Sequence, residues 1–112
     1  MAYDEAFAER IRDLLAPRAE LTERMMFGGI AFMLGGNMAV GVIGDDLMVR
    51  LDPADAERAV VEPHTRPMDF TGRPMKNMVY VDSVGTAADA DLASWVEAAA
   101  DFAASLPPKP KS

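Results

Sequence analysis

Between Ile30 and Asp52 the chain runs through three short alternating segments, and no other stretch restricts the fold as tightly. Ile30, Phe32 and Leu34 alternate with Ala31 and Met33, and Met38, Val40 and Val42 alternate with Ala39, Gly41 and Ile43. Leu47, Val49 and Leu51 then alternate with Met48, Arg50 and Asp52. A period of two is that of a strand with one face turned to a core. Gly35-Gly36-Asn37 and Gly44-Asp45-Asp46 separate the runs, and these residue types tolerate the positive φ of tight turns. The pattern predicts an antiparallel meander. The third run has the clearest alternation, with Arg50 and Asp52 on the face opposite Leu47, Val49 and Leu51.

Helices are expected on either side of this block. Tyr3, Phe7, Ile11, Leu14 and Leu15 recur at the spacing of one helix face. Asp4 can cap that helix, and Pro17 should end it at or before Ala16. Asp52-Pro53-Ala54-Asp55 combines a capping acid, proline at the first helical position and an acid at the positive end of the dipole. It predicts a short helix from Pro53 to Val61, closed by Pro63. Glu62–Pro67 reads as an irregular link, followed by a smaller strand pair, Met68–Phe70 and Lys76–Val81, joined through Thr71-Gly72-Arg73-Pro74. Leu92, Trp95, Val96, Ala99, Phe102, Ala103 and Leu106 form the apolar stripe of a last helix, with Asp89 as its expected cap. The expected order is α-β-β-β-α-β-β-α, a two-layer α+β domain with helices on one face of an antiparallel sheet. Residues 1–106 are read as that single domain and residues 107–112 as a flexible tail.

Composition narrows the function classes. A chain of 112 residues can bury roughly two thirds of its unfolded surface in one core. With no cysteine, it has no disulfide framework, thiolate nucleophile or thiolate zinc site. The acidic start, Met1-Ala2-Tyr3-Asp4-Glu5, lacks the basic and then apolar pattern of an export signal, and the longest apolar runs are too short to span a bilayer. The expected location is the cytoplasm. A net charge of −7 argues against nucleic acid as the main partner, because phosphate must be met by Lys and Arg.

The residues offer little catalytic chemistry. His64 is the lone imidazole and sits in the link, where it reads as a surface loop histidine. The carboxylates cluster at turns and helix starts, where caps and Asx turns employ them, and no spacing points to a metal site. Gly28-Gly29 matches neither a P-loop nor the dinucleotide fingerprint; it marks a bulge or a close backbone approach. Arg66, Arg73 and Lys76 form one locally basic stretch, either a solvated loop face or a contact for an anion or acidic partner. There are nine methionines, eight of them in or near predicted strands, so most should fill core while part of the sulfur-rich surface faces out.

Two segments carry a resemblance. One is Arg24-Met25-Met26-Phe27-Gly28-Gly29-Ile30-Ala31-Phe32, with Gly36-Asn37-Met38 and Asp46-Leu47-Met48-Val49-Arg50 after it. The other is Phe70-Thr71-Gly72-Arg73-Pro74-Met75-Lys76, with Val79-Tyr80-Val81 after it. With a leading helix and a closing helix that holds Trp95, they resemble the N-terminal domain of the TfoX (Sxy) family over nearly the whole chain. The resemblance implies a secretion-chaperone-like fold in the order α-β(3)-α-β(2)-α. It also implies one long strand from Arg24 to Leu34, interrupted at Gly28-Gly29. Full-length members are regulators of natural competence that act with a cyclic-AMP receptor protein and carry a further helical domain. The expectation here is a stand-alone N-terminal module.

No catalytic residue, metal or cofactor carries over from the family. The leading reading is therefore a regulatory or protein-interaction module without catalysis, a homodimer through a sheet edge or face being one form of it. Its expected binding residues are Arg24, Met26, Phe27, Gly28, Gly29, Arg73, Pro74, Met75 and Lys76. The alternative is a small-ligand-binding protein or enzyme using a cleft near Gly28-Gly29 and the Arg73–Lys76 turn. Direct nucleic-acid binding by the Arg66–Lys76 stretch is the third reading.

Overall fold

The computed structural model describes residues 3–26, 28–67 and 77–107. Its elements are α1 (Glu5–Leu15), β1 (Leu21–Met26), β2 (Gly29–Leu34), β3 (Asn37–Ile43), β4 (Asp46–Arg50), α2 (Pro53–Ala59), β5 (Thr65–Pro67), β6 (Met78–Val81) and α3 (Asp89–Ser105). The strands form a six-stranded sheet in the order β1-β2-β3-β4-β6-β5, every neighbouring pair antiparallel. The α+β class and the one-sided packing are as the sequence predicts.

One strand more precedes α2 than the sequence reading placed there. The long strand implied for Arg24 to Leu34 is in fact a hairpin. Met26 pairs with Gly29, so only Phe27 and Gly28 lie between β1 and β2. Gly28 has φ +78°, a conformation that side chains with a Cβ rarely adopt, and the chain reverses there instead of continuing. Gly35 and Gly36, both at positive φ, reverse it again between Leu34 and Asn37, and Gly44 does so between Ile43 and Asp46.

The helix ends follow from their caps. Asp4 accepts from the Phe7 amide and starts α1; Asp52 accepts from the Ala54 amide and starts α2. α2 stops at Ala59, short of the expected Val61, and Thr65 ties off its end by donating to the Ala59 and Glu62 carbonyls. Asp89 is not a cap. It is the first residue of α3, after Ala88, and its carboxylate is taken by Arg10 of α1 at 3.0 Å. Part of the link read as irregular is strand β5, and Met68–Phe70 lie outside the described residues.

One core fills the space between the sheet and all three helices. Ile30, Phe32, Val40, Val42, Leu47, Val49, Val79 and Val81 face Phe7, Ile11, Leu15, Ala56, Leu92, Val96 and Ala99. Each large side chain of this set contributes about 1.5–3 kcal/mol on burial. Alanines at 56, 59, 99, 100 and 103 let the helices lie close to the sheet. The other sheet face holds a smaller cluster, Met48 and Met78 buried among Met38, Ile43 and Tyr80. The methionines thus do fill a second, sulfur-rich face. Arg50 departs from simple alternation, with its guanidinium 5.8 Å from the Phe102 ring of α3.

Candidate functional site

The two edges of the sheet differ. At one end β5 is three residues long and finishes on Pro67, which has no amide to offer. Arg66 within it bonds Asp46 at 2.7 Å and lies 4.5 Å over the Tyr80 ring. At the other end β1 is six residues long, and Thr22, Glu23, Arg24 and Met25 are all exposed. Among the described residues nothing pairs with its outer side.

Register settles which groups that edge presents. In a hairpin closed by a two-residue loop the flanking pair is hydrogen bonded, and bonded pairs alternate from there. Met26, Arg24 and Thr22 therefore spend their backbone groups on β2. The amides and carbonyls of Leu21, Glu23 and Met25 point away from the sheet. Their side chains share the helix-bearing face, since their partners Leu34, Phe32 and Ile30 are core residues. Met25 is 63% exposed, a large apolar side chain standing in water beside unpaired backbone. Between it and Leu21, Glu23 is held by Arg12 of α1 through Nε–Oε2 at 2.5 Å and Nη2–Oε1 at 2.7 Å. These bonds and the guanidinium charge hold the Glu23 carboxyl below the usual carboxylate range, against the opposing effect of burial.

The expected binding residues separate into two groups. Arg24 is exposed on the methionine-rich side of β1, Met26 is half-buried at the strand's end, Gly28 forms the exposed turn and Gly29 is buried. A Cβ on Gly29 would lie 1.9 Å from the Val42 carbonyl oxygen, so the close backbone approach read from the sequence is present at this glycine. Phe27, Arg73, Pro74, Met75 and Lys76 lie outside the described residues. The outward-facing set Leu21, Glu23 and Met25, and Arg12 behind it, went unread in the sequence. The one available signal was the Leu21-Thr22-Glu23-Arg24-Met25 run, whose alternation is broken by a glutamate on the apolar side.

Elsewhere the surface is less organised. An open cleft of about 280 Å³ lies between the Gly35 turn and the end of α3, lined by Arg18, Glu20, Leu34, Asn37, Ala103 and Leu106 among others. Arg18 is engaged there by Asp101 at 2.8 Å. His64 is exposed in the link with φ +67°, its Nδ1 3.5 Å from Asp82. Among the described residues no three carboxylate or imidazole groups are placed to hold a metal ion, and no helix is long and apolar enough to cross a membrane.

The family model for the TfoX N-terminal domain matches residues 13–103, which takes in the last turn of α1, the whole sheet and nearly all of α3. The chain belongs to the TfoX N-terminal domain family. No curated protein and no solved structure matches it. The open β1 edge thus falls wholly inside the TfoX N-terminal domain, as do the glycine hairpin and the Arg66–Asp46 pair.

Proposed function

We propose that this TfoX N-terminal domain is a cytoplasmic regulatory module that works by protein interaction, taking its partner as an added strand on the outer side of β1. The contrast between the two sheet edges carries this reading. Natural sheets shorten, charge or cover their edges to prevent adventitious pairing. The β5 edge is short and ends on proline, while the longer β1, although it carries Glu23 and Arg24, leaves three residues' worth of backbone donors and acceptors open, next to an exposed methionine. Strand addition draws affinity from such backbone groups and specificity from alternate side chains.

Capture from a host extract on immobilised protein tests this. Met25→Pro removes one outward amide without touching the β1–β2 ladder, whereas Val61→Asp alters an exposed residue far from the edge. A partner held by the unmodified chain and by Val61→Asp, but lost with Met25→Pro, is the expected result. An identical set of captured proteins for all three would defeat the proposal.

A further inference from the structure

The β1 edge is complementary to itself. We infer that its partner is a second copy of this chain, the two β1 strands pairing antiparallel about a two-fold axis at Glu23 to make one continuous sheet. This rests on reading β1 as the docking edge and adds the identity and register of the occupant.

Only residues whose backbone groups point outward can pair across the new seam, which confines the axis to a few positions. With the axis at Glu23, Leu21 of each copy faces Met25 of the other. The exposed methionine is then covered by an apolar neighbour, and Thr22 stands opposite Arg24 on the other face of the sheet. All three outward residues engage, giving about six inter-chain hydrogen bonds. Moving the axis to Arg24 would oppose the two Arg24 side chains and set Glu23 against Met25. Moving it to Thr22 would set Glu23 against Leu21 and leave Met25 uncovered. Opposed like charges and mismatched pairs both destabilise a ladder.

The chosen register does place Glu23 opposite Glu23. Each carboxylate, however, has both oxygens bonded by the Arg12 of its own copy, a guanidinium that also pairs with Glu9 of α1. The seam therefore reads Arg12–Glu23–Glu23–Arg12, each opposed carboxylate backed by a guanidinium that donates one bond to each of its oxygens. Isologous two-fold contacts are the commonest form of self-association. They need a patch that matches itself, and Leu21-Thr22-Glu23-Arg24-Met25 does so about its central residue.

Light scattering across a concentration series, combined with cysteine cross-linking, tests the inference; the chain has no native cysteine to interfere. The expected species is twice the 12.1 kDa chain. Met25→Pro removes one inter-chain bond from each copy and should weaken association about thirtyfold, with far-ultraviolet circular dichroism unchanged. Under mild oxidation Glu23→Cys should form a symmetric disulfide, since directly opposed Cα atoms fall within bridging distance. Met25→Cys should not, because the two copies of that residue lie several residues apart along the seam.

A monomer throughout the series overturns the inference, as does a dimer whose dissociation constant Met25→Pro leaves unchanged or one that cross-links at Met25→Cys in preference to Glu23→Cys. The underlying reading fails separately. A monomer that nonetheless loses a different protein partner through Met25→Pro removes only the second copy, whereas a monomer whose captured partners ignore that substitution removes both.

Discussion

Arg12 of α1 spans the cross-strand pair formed by Glu23 and Phe32. It grips both oxygens of Glu23 while its guanidinium sits 5.9 Å from the Phe32 ring centre. One side chain thereby fixes the first helix to the outermost strand and covers the ring of Phe32, the largest fully buried side chain. A bidentate geometry holds more energy than a single surface contact, although both side chains keep about a third of their exposure. Replacing Arg12 with Met should cost about 1 kcal/mol, and a double-mutant cycle with Glu23→Gln should return a coupling of about 0.5–1 kcal/mol. Urea unfolding of the four proteins measures both quantities.

The same pair gives a pH dependence of definite sign. Glu23 has its carboxyl held below the usual value of 4.5, so the folded state binds its proton less readily than the unfolded chain does. The stabilisation it supplies is fully present above that usual value and is lost as pH falls through the lower, folded value. The difference in melting temperature between the unmodified chain and Glu23→Gln should accordingly be constant at neutral pH and shrink under acid. A difference that grew on acidification would show that the pairing does not set the titration.

Adjacent glycines at the hairpin should respond differently to alanine. Gly28 faces open space and is constrained only by its φ of +78°, so Gly28→Ala should cost about 1–2 kcal/mol. Gly29 is constrained by space, its missing Cβ lying 1.9 Å from a backbone oxygen of β3 that cannot move without breaking the ladder. Gly29→Ala should cost about 3 kcal/mol or more. Thermal melts of the two variants would separate them; equal losses would mean that the β2–β3 contact is softer than its geometry.

Legibility in the sequence followed the range of the forces involved. The meander from Ile30 to Leu51 was readable because its period, its glycine turns and its caps are all local signals. The same holds for α1, where Asp4 and Pro17 mark both ends. β1 was not readable as a strand of its own. Its four residues from Thr22 to Met25 are all exposed, and an edge strand with one free side needs no clean alternation. The turn at Gly28 reads as a bulge or an interruption of one strand, because the sequence shows that positive φ is allowed and not which way the chain leaves. Asp89 missed its role as a cap because Arg10, distant in sequence, reaches it along with the Thr86 carbonyl. Of the candidate site, Arg24 and the close approach at Gly29 were visible, whereas the hairpin and the outward set around Glu23 depend on register, which no single residue encodes.

At the protected edge, Tyr80 offers a spectroscopic reading of the Arg66–Asp46 pair. Burial raises the phenol above its usual value, Arg66 partly offsets this by favouring the phenolate, and Asp46 adds to the rise. Arg66→Gln removes the offsetting charge and leaves Asp46 without its partner. Tyr80 should then titrate at still higher pH, measurable by ultraviolet difference spectroscopy against a Tyr3→Phe background that isolates the one remaining phenol. A downward movement would mean that Arg66 acts on Tyr80 by covering it from solvent more than by its charge.

Asn37 closes the fold at the opposite end from the hairpin. It is 2% exposed at the start of β3, and its Nδ2 donates to the carbonyl of Pro107 at 2.9 Å, joining the sheet to the chain just beyond α3. An amide can serve there because its nitrogen donates; a carboxylate of the same shape cannot. Asn37→Ala should cost about 1–2 kcal/mol through the lost hydrogen bond and the lost packing of a buried side chain. Asn37→Asp should cost more at neutral pH, since it sets a negative oxygen against a carbonyl oxygen in a poorly hydrated place. Protonation restores a donor, so the deficit of Asn37→Asp relative to Asn37→Ala should narrow as pH falls, the introduced acid titrating above the ordinary carboxylate range. Urea titrations of both variants at neutral and mildly acidic pH decide it. Equal, pH-independent losses would show that the contact with Pro107 is worth no more than the packing of the side chain.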